Sequence, residues 1–175
     1  MKGSHLTKAS KNSMTKSKIG LSMLYCIGES FEKMAESVAK AETAYVEIVD
    51  DVQHALNRKR TRILNDIASS HSLKYTVHSP FVGTNIAAPS KWLLNATVRR
   101  LKKSIIEASA LDCHVWVFHP GMQTALSHIY GDVEWASNLK TARLLFRFAR
   151  DHGVNVAIEN VPEPYRFLMK SVEDF

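Results

Sequence analysis

Two kinds of apolar pattern alternate along the chain. Short β-branched and aromatic runs at residues 19–25, 44–49, 75–78, 114–118 and 154–158 read as strands. Between them, apolar residues recur every three or four positions. Ser30 caps a first helix with Phe31, Met34, Ala35, Val38 and Ala39 on one face and Glu32 in its first turn. A second helix is predicted over residues 52–70, with Leu56, Ile63, Leu64, Ile67 and Ala68 inward. A third starts near Lys91 and carries Leu94, Val98, Leu101, Ile105, Ala108 and Leu111. The fourth covers residues 133–151, with Trp135, Leu139, Ala142, Phe146 and Ala149 inward and Gly153 where a helix C′ glycine belongs. Residues 79–90, 120–132 and 160–170 read as loops, and residues 171–175 as the capped start of a further helix. Trp92, Trp116 and Trp135 fall on positions that predict core packing.

Strand and helix thus alternate four times before a fifth strand, which implies a parallel sheet with right-handed crossovers. An open doubly wound sheet and part of a TIM barrel both fit this order. The ends of the strands separate them. Glu47, His78, His119 and Glu159 close four of the five runs, most sharply in Val115-Trp116-Val117-Phe118-His119-Pro120-Gly121. A barrel builds its site from the C-terminal ends of several strands. A doubly wound sheet uses one crevice, often with a glycine-rich first loop, and Cys26-Ile27-Gly28-Glu29 has no such fingerprint. The fold class expected is therefore α/β, parallel (βα) repeats forming a partial TIM barrel, about five strands of the eight. Imidazole and carboxylate at neighbouring strand ends suit a divalent cation, Zn²⁺ or Mn²⁺ foremost, with Mg²⁺ or Co²⁺ as alternatives.

Three segments carry a family resemblance. His78-Ser79-Pro80 with Asn85-Ile86-Ala87 downstream, Phe118-His119-Pro120-Gly121, and Ile158-Glu159-Asn160 resemble the xylose isomerase-like TIM barrel superfamily over roughly residues 19–175. That group holds sugar and sugar-phosphate isomerases and epimerases and the endonuclease IV group. The resemblance implies Glu159 as a metal-binding carboxylate. It implies His78 and His119 as further metal ligands in endonuclease-like members, or as substrate contacts in isomerase-like members. Glu159 and His119 are the catalytic candidates and His78 a substrate-binding one; by position alone Glu47, contacting substrate or neutralising a nearby cation, and Asn160, orienting Glu159 or binding a hydroxyl, join the substrate-binding candidates. The reaction implied is proton transfer next to a metal-polarised carbonyl of a sugar or sugar phosphate. The alternatives are an endonuclease IV-like AP endonuclease acting on DNA phosphodiesters, and a non-catalytic truncated barrel. The sequence stops where a sixth βα unit would begin, so a fragment, a truncated frame, or a homo-oligomer completing the barrel is expected, with weak or no activity from this chain alone.

Composition narrows the partners. The chain has 175 residues, 45% hydrophobic and 23% charged, enough for one domain with a real core. Its net charge of +6 suggests nucleic acid at first. Lys2, Lys8, Lys11, Lys16 and Lys18 supply most of it, from a Ser/Lys/Thr-rich stretch without an acid. Residues 1–18 are thus expected to be a flexible basic leader or tag remnant, and residues 19–175 a near-neutral domain. DNA is a partner only under the endonuclease reading. Arg58, Lys59, Arg60 and Arg62 read as a solvated helix face. No run approaches the ~18 apolar residues of a membrane helix. Cys26 and Cys113 lie far apart in apolar contexts, as reduced thiols of a cytoplasmic protein would.

Overall fold

The computed structural model describes residues 19–130, 132–161 and 163–174, so the leader assigned to residues 1–18 lies outside the described residues. Five strands form one parallel sheet in sequential order: β1 (Gly20–Ser22), β2 (Tyr45–Val49), β3 (Lys74–His78), β4 (Trp116–Phe118) and β5 (Val156–Ile158). The sheet does not close on itself. The helices between strands are α1 (Phe31–Ala39), α2 (Arg58–His71), α3 (Lys91–Ala110) and α5 (Val133–Asp151), with a short α4 (Ser127–Tyr130) inside the loop after β4. This is the partial TIM-barrel arrangement that the alternating pattern predicts.

Strand alternation divides the sheet into two faces. Val46, Ile48, Tyr75, Val77, Trp116 and Phe118 join the buried core with the helices. The register pairs Glu47 with Thr76, Val49 with His78, His78 with Val117, and Val117 with Ala157, so these residues share the opposite face. Trp116 is fully buried, and its indole Nε1–H donates to Ser104 Oγ on α3 at 3.0 Å. That bond lets the largest core side chain bury its one polar atom without penalty.

Several boundaries differ from the sequence pattern. The predicted first strand stops at Ser22, whose hydroxyl accepts from the Leu24 N–H and opens a 3₁₀ turn over Met23–Cys26. The predicted helix over 52–70 is broken. A 3₁₀ turn covers Val52–His54, and α2 begins only after Asn57, whose side chain accepts from the Lys59 and Arg60 N–H groups. Asparagine is a strong N-cap, and here it wins over helix continuity. The end of the chain forms a 3₁₀ turn, Val172–Asp174, rather than a helix start; Asp174 accepts from the Lys170 and Ser171 N–H groups.

The inward face of α5 is rotated from the expected one. Its buried residues are Glu134, Asn138, Thr141, Ala142, Leu145 and Ala149, while Phe146 is half exposed and touches Phe118 only edge-on. Two polar residues take the inward position because the loop after β4 needs acceptors. Asn138 Oδ1 accepts from the Gly121 N–H at 2.7 Å, and Glu134 Oε1 from the Thr124 N–H at 2.8 Å. Trp92 also departs from expectation: it sits in the first turn of α3 and is 73% exposed. Among the described residues no helix is long and apolar enough to cross a membrane.

Gly121 marks the tightest contact between the loops after β3 and β4. A Cβ there would lie 2.3 Å from Ala87 Cβ and 2.9 Å from the Ala87 backbone nitrogen. Backbone cannot yield as a flexible side chain does. Gly121→Ala is expected to destabilise by ~1–3 kcal/mol through overpacking. Urea unfolding measures this, and an unchanged midpoint would show that the loops separate freely.

Candidate functional site

β3 ends in His78, and His119 and Glu159 directly follow the last residues of β4 and β5. Parallel pairing puts all three at one rim of the sheet. His78 Nε2 lies 3.2 Å from Glu159 Oε2, and His119 Nε2 lies 3.1 Å from the same oxygen. The two imidazole rings meet edge-to-face, centroids 4.9 Å apart. Phe81 packs against both rings, and Phe167 against His119, with centroids 5.1–5.7 Å away.

The orientation of His78 has a chemical consequence. Its Nδ1 lies 2.9 Å from the Ser79 carbonyl, an acceptor, so Nδ1 carries the proton. With the proton on Nδ1 alone, the Nε2 lone pair faces a carboxylate oxygen. Two acceptors that close need a proton or a cation between them. Burial, with His78 alongside, pushes the His119 imidazole below its ordinary value, although Glu159 pulls the other way. His119 therefore favours its neutral, ligand-competent form. The donor atoms of His78, His119 and Glu159 all lie within 4.8 Å of one another. Ligands about 2.0–2.1 Å from a tetrahedral cation sit about 3.3 Å apart, close to the spacings from Glu159 to the two rings. The residues fit a divalent cation with nitrogen and oxygen ligands.

Two further side chains hold the loops that carry the histidines. Asn85 Oδ1 accepts from the Ala87 N–H and the Met122 N–H, both at 2.9 Å, and its Nδ2 donates to the Met122 carbonyl at 3.0 Å. One side chain thus joins the loop after His78 to the loop after His119. Asp51 is fully buried. It accepts from the Phe81 and Val82 N–H groups at 2.8 and 2.7 Å, and from the Val52 N–H at 2.8 Å, and it pairs with Arg100. Arg100 also donates to the Val82 carbonyl at 2.7 Å. Neither Asp50 nor Asp51 is among the sequence-derived site residues. Two consecutive acids closing an apolar run were the available signal.

Asp50 is buried too. Its carboxylate accepts from the Leu56 N–H at 2.6 Å, and burial pushes its pKa from 3.8 up to about 6. The folded state keeps this proton to higher pH than the unfolded chain, so stability falls as pH rises from about 4 to beyond 6. Asp50→Asn removes that burden and keeps the acceptor for Leu56. Relative to the native chain it is expected to gain on the order of 2–3 kcal/mol at pH 8 and almost nothing at pH 4. Thermal melts at the two pH values check this; a pH-independent gain would mean that Asp50 is not the titrating group.

The structure does not bring Glu47 and Asn160 into the cluster. Glu47 is not the end of its strand: β2 runs on to Val49, which pairs with His78, so Glu47 lies deeper on that face. It accepts a hydrogen bond from the Ser22 hydroxyl. Asn160 is exposed and donates to the Lys170 carbonyl at 3.3 Å, bracing the loop after β5. That loop folds back over β4's loop, with Gln123 N–H donating to Arg166 O and Leu168 N–H to Gly121 O, both at 2.8 Å. The fold-back sets Phe167 beside His119.

Known proteins agree with this architecture. The family described as xylose isomerase-like TIM barrel matches residues 25–175. Uncharacterized protein MJ1311 of Methanocaldococcus jannaschii is 29% identical over 145 residues, 83% of this chain and 50% of that protein. A second protein of that organism, MJ1614, is 26% identical over 108 residues, 61% of this chain and 41% of that protein. A D-tagatose 3-epimerase-like protein superposes with a TM-score of 0.80 at 28% identity, covering 87% of this chain and 56% of the other. D-psicose 3-epimerase from Clostridium cellulolyticum H10, solved with D-tagatose, gives a TM-score of 0.71 at 16% identity, over 89% of this chain and 56% of the other; at that identity the likeness is one of fold alone. The chain spans about half the length of these relatives.

Proposed function

The chain belongs to the xylose isomerase-like TIM barrel family, and on that premise we propose that its rim is a metal-dependent sugar isomerase or epimerase site. One observation carries the reading: two histidines from different strands direct Nε2 at a single Glu159 oxygen. Such an arrangement is stable around a shared cation, with His78, His119 and Glu159 as its ligands. A divalent ion bound there supplies polarisation of a sugar carbonyl and its neighbouring hydroxyl. Glu159 Oε2 takes both histidine contacts, and Oε1 of the half-exposed carboxylate, without a hydrogen bond among the described residues, takes or returns a proton at the adjacent carbon. His119, held neutral, orients the substrate oxygens, and Phe81 and Phe167 keep both rings in place and limit water. Asn160 lies beside Glu159 in sequence and serves a substrate hydroxyl once the loop after β5 adjusts; Glu47, on the sheet face that carries His78, is a second substrate contact in this reading. The two buried free cysteines, Cys26 and Cys113, accord with a cytoplasmic setting.

The test is deuterium exchange. The protein is incubated with D-tagatose or D-fructose in D₂O with Mn²⁺, Zn²⁺, Mg²⁺ or Co²⁺ in turn, and proton NMR follows uptake at the carbon next to the carbonyl. Metal-dependent uptake that disappears in Glu159→Gln supports the reading. Bound metal with no exchange in any ketose removes it. The convergence of both ring nitrogens on the ligand side also suits a phosphodiesterase of the endonuclease type. That second reading expects cleavage of an abasic-site duplex, with binding that weakens steeply as salt rises.

A further inference from the structure

The near-neutral total of residues 19–175 hides a division of charge. α3 and α5 together carry nine lysines and arginines against three acids, a balance of +6, while the rest of those residues carries nine against fourteen. The two helices pack side by side. Lys102 of α3 lies over the Phe148 ring of α5, 4.6 Å from its centroid, and the Ser109 hydroxyl donates to the His152 carbonyl at 2.8 Å. The three acids are already engaged. Glu134 is buried, Asp151 pairs with Arg150 at 3.6 Å, and Glu107 accepts from the Thr61 hydroxyl at 2.8 Å. Helical spacing lines up the remaining charges. Trp92, Asn95, Arg99, Lys103 and Ile106 recur at steps of three and four on the exposed face of α3, and Lys140, Arg143 and Arg147 on that of α5. Among the described residues, none of these five cations is in an ion pair. Neighbouring cations in a row stand about 4.5–6 Å apart along the axis, so they repel one another until a partner brings negative charge.

Two rows of cations beside a largely exposed indole fit a flexible polyanion that also offers flat apolar faces. We propose that the outward faces of α3 and α5 bind the backbone of a single-stranded nucleic acid, with Trp92 stacking on a base. A duplex brings the phosphates but keeps its base faces covered. An anionic bilayer brings the charge, but Ile106, Leu144 and Phe146 among the cations are only half exposed, and the inward faces of both helices are committed to the core. The inference holds whichever reaction the rim performs.

The experiment follows the fluorescence anisotropy of a labelled oligothymidylate titrated with the full chain between about 50 and 200 mM salt. Five cations at about −0.7 each predict a log–log salt slope of about −3.5 from this surface. The fourfold variant Arg99→Gln, Lys103→Gln, Arg143→Gln, Arg147→Gln is expected to flatten the slope by about 2.8 and to weaken binding at least ~10-fold at the low-salt end. Residues 1–18 are the same in both chains, so the difference belongs to the helices. Trp92→Ala is expected to weaken binding about fivefold or more and to leave the slope unchanged, because stacking carries no charge. A thermal melt confirms the fold of each variant. Equal slopes in the native chain and the fourfold variant overturn the proposal, and a flat slope in the native chain overturns it without any variant. A larger loss for a duplex than for the oligothymidylate in the fourfold variant overturns the single-strand class. Binding to phosphatidylserine vesicles with none to the oligothymidylate overturns the nucleic acid.

Discussion

Glu159→Gln is expected to weaken Zn²⁺ binding by about 100-fold or more, because even outer partners of metal ligands cost about 10–100-fold when replaced. Glu159 is the one carboxylate that both histidines face, and it brings the only negative charge to the proposed ligand set. The amide keeps the shape and removes the charge, so packing changes little. His119→Gln should follow in the same direction, since it deletes one ring from the edge-to-face pair. Competition against a chromophoric chelator gives the affinities, and a thermal melt confirms the fold of each variant. The effect of pH follows from the His119 environment. Its imidazole is pushed below its ordinary value by burial and by His78, so His119 yields its place to a proton later on acidification than a free imidazole would. Affinity should therefore fall on the acid side, as His119 takes up its proton. Equal affinity in the native chain and Glu159→Gln would remove the carboxylate from the ligand set.

Asp51→Ala is expected to cost about 2–4 kcal/mol in urea unfolding, because a fully buried acceptor is withdrawn from three backbone N–H groups at about 1 kcal/mol each or somewhat more. The carboxylate is fully buried and serves three backbone N–H groups besides Arg100. Its loss strands those donors and leaves the half-exposed Arg100 guanidinium to water and the Val82 carbonyl. Asp51→Asn keeps one acceptor oxygen and should fall between the two. The damage extends to the rim. Phe81, whose N–H Asp51 holds, packs on both histidines, so Zn²⁺ affinity should also drop in whatever fraction remains folded. A loss below about 1 kcal/mol, the worth of one ordinary hydrogen bond, would mean that the loop after β3 finds other partners.

Apolar periodicity was enough to read the order of strands and helices and the parallel sheet, and the polar ends of the apolar runs to read the rim histidines. Burial on one face forces a period of two in strands and near 3.6 in helices, and that period survives in composition without any knowledge of neighbours. His78, His119 and Glu159 were legible because each interrupts an apolar run at its end. Tertiary structure alone decided the rest. Glu47 looked like a fourth strand tip, but the register of β2 against β3 places it deeper, with Ser22. The inward face of α5 turned toward Glu134 and Asn138 because the loop after β4, distant in sequence, presents N–H groups that need acceptors. Asp51 became a clamp for the same reason, through the N–H groups of Phe81 and Val82 some 30 residues on. A side chain's polarity is written in the sequence. Which orphaned backbone group it answers is set only when remote loops meet, since every buried donor must find its partner in space.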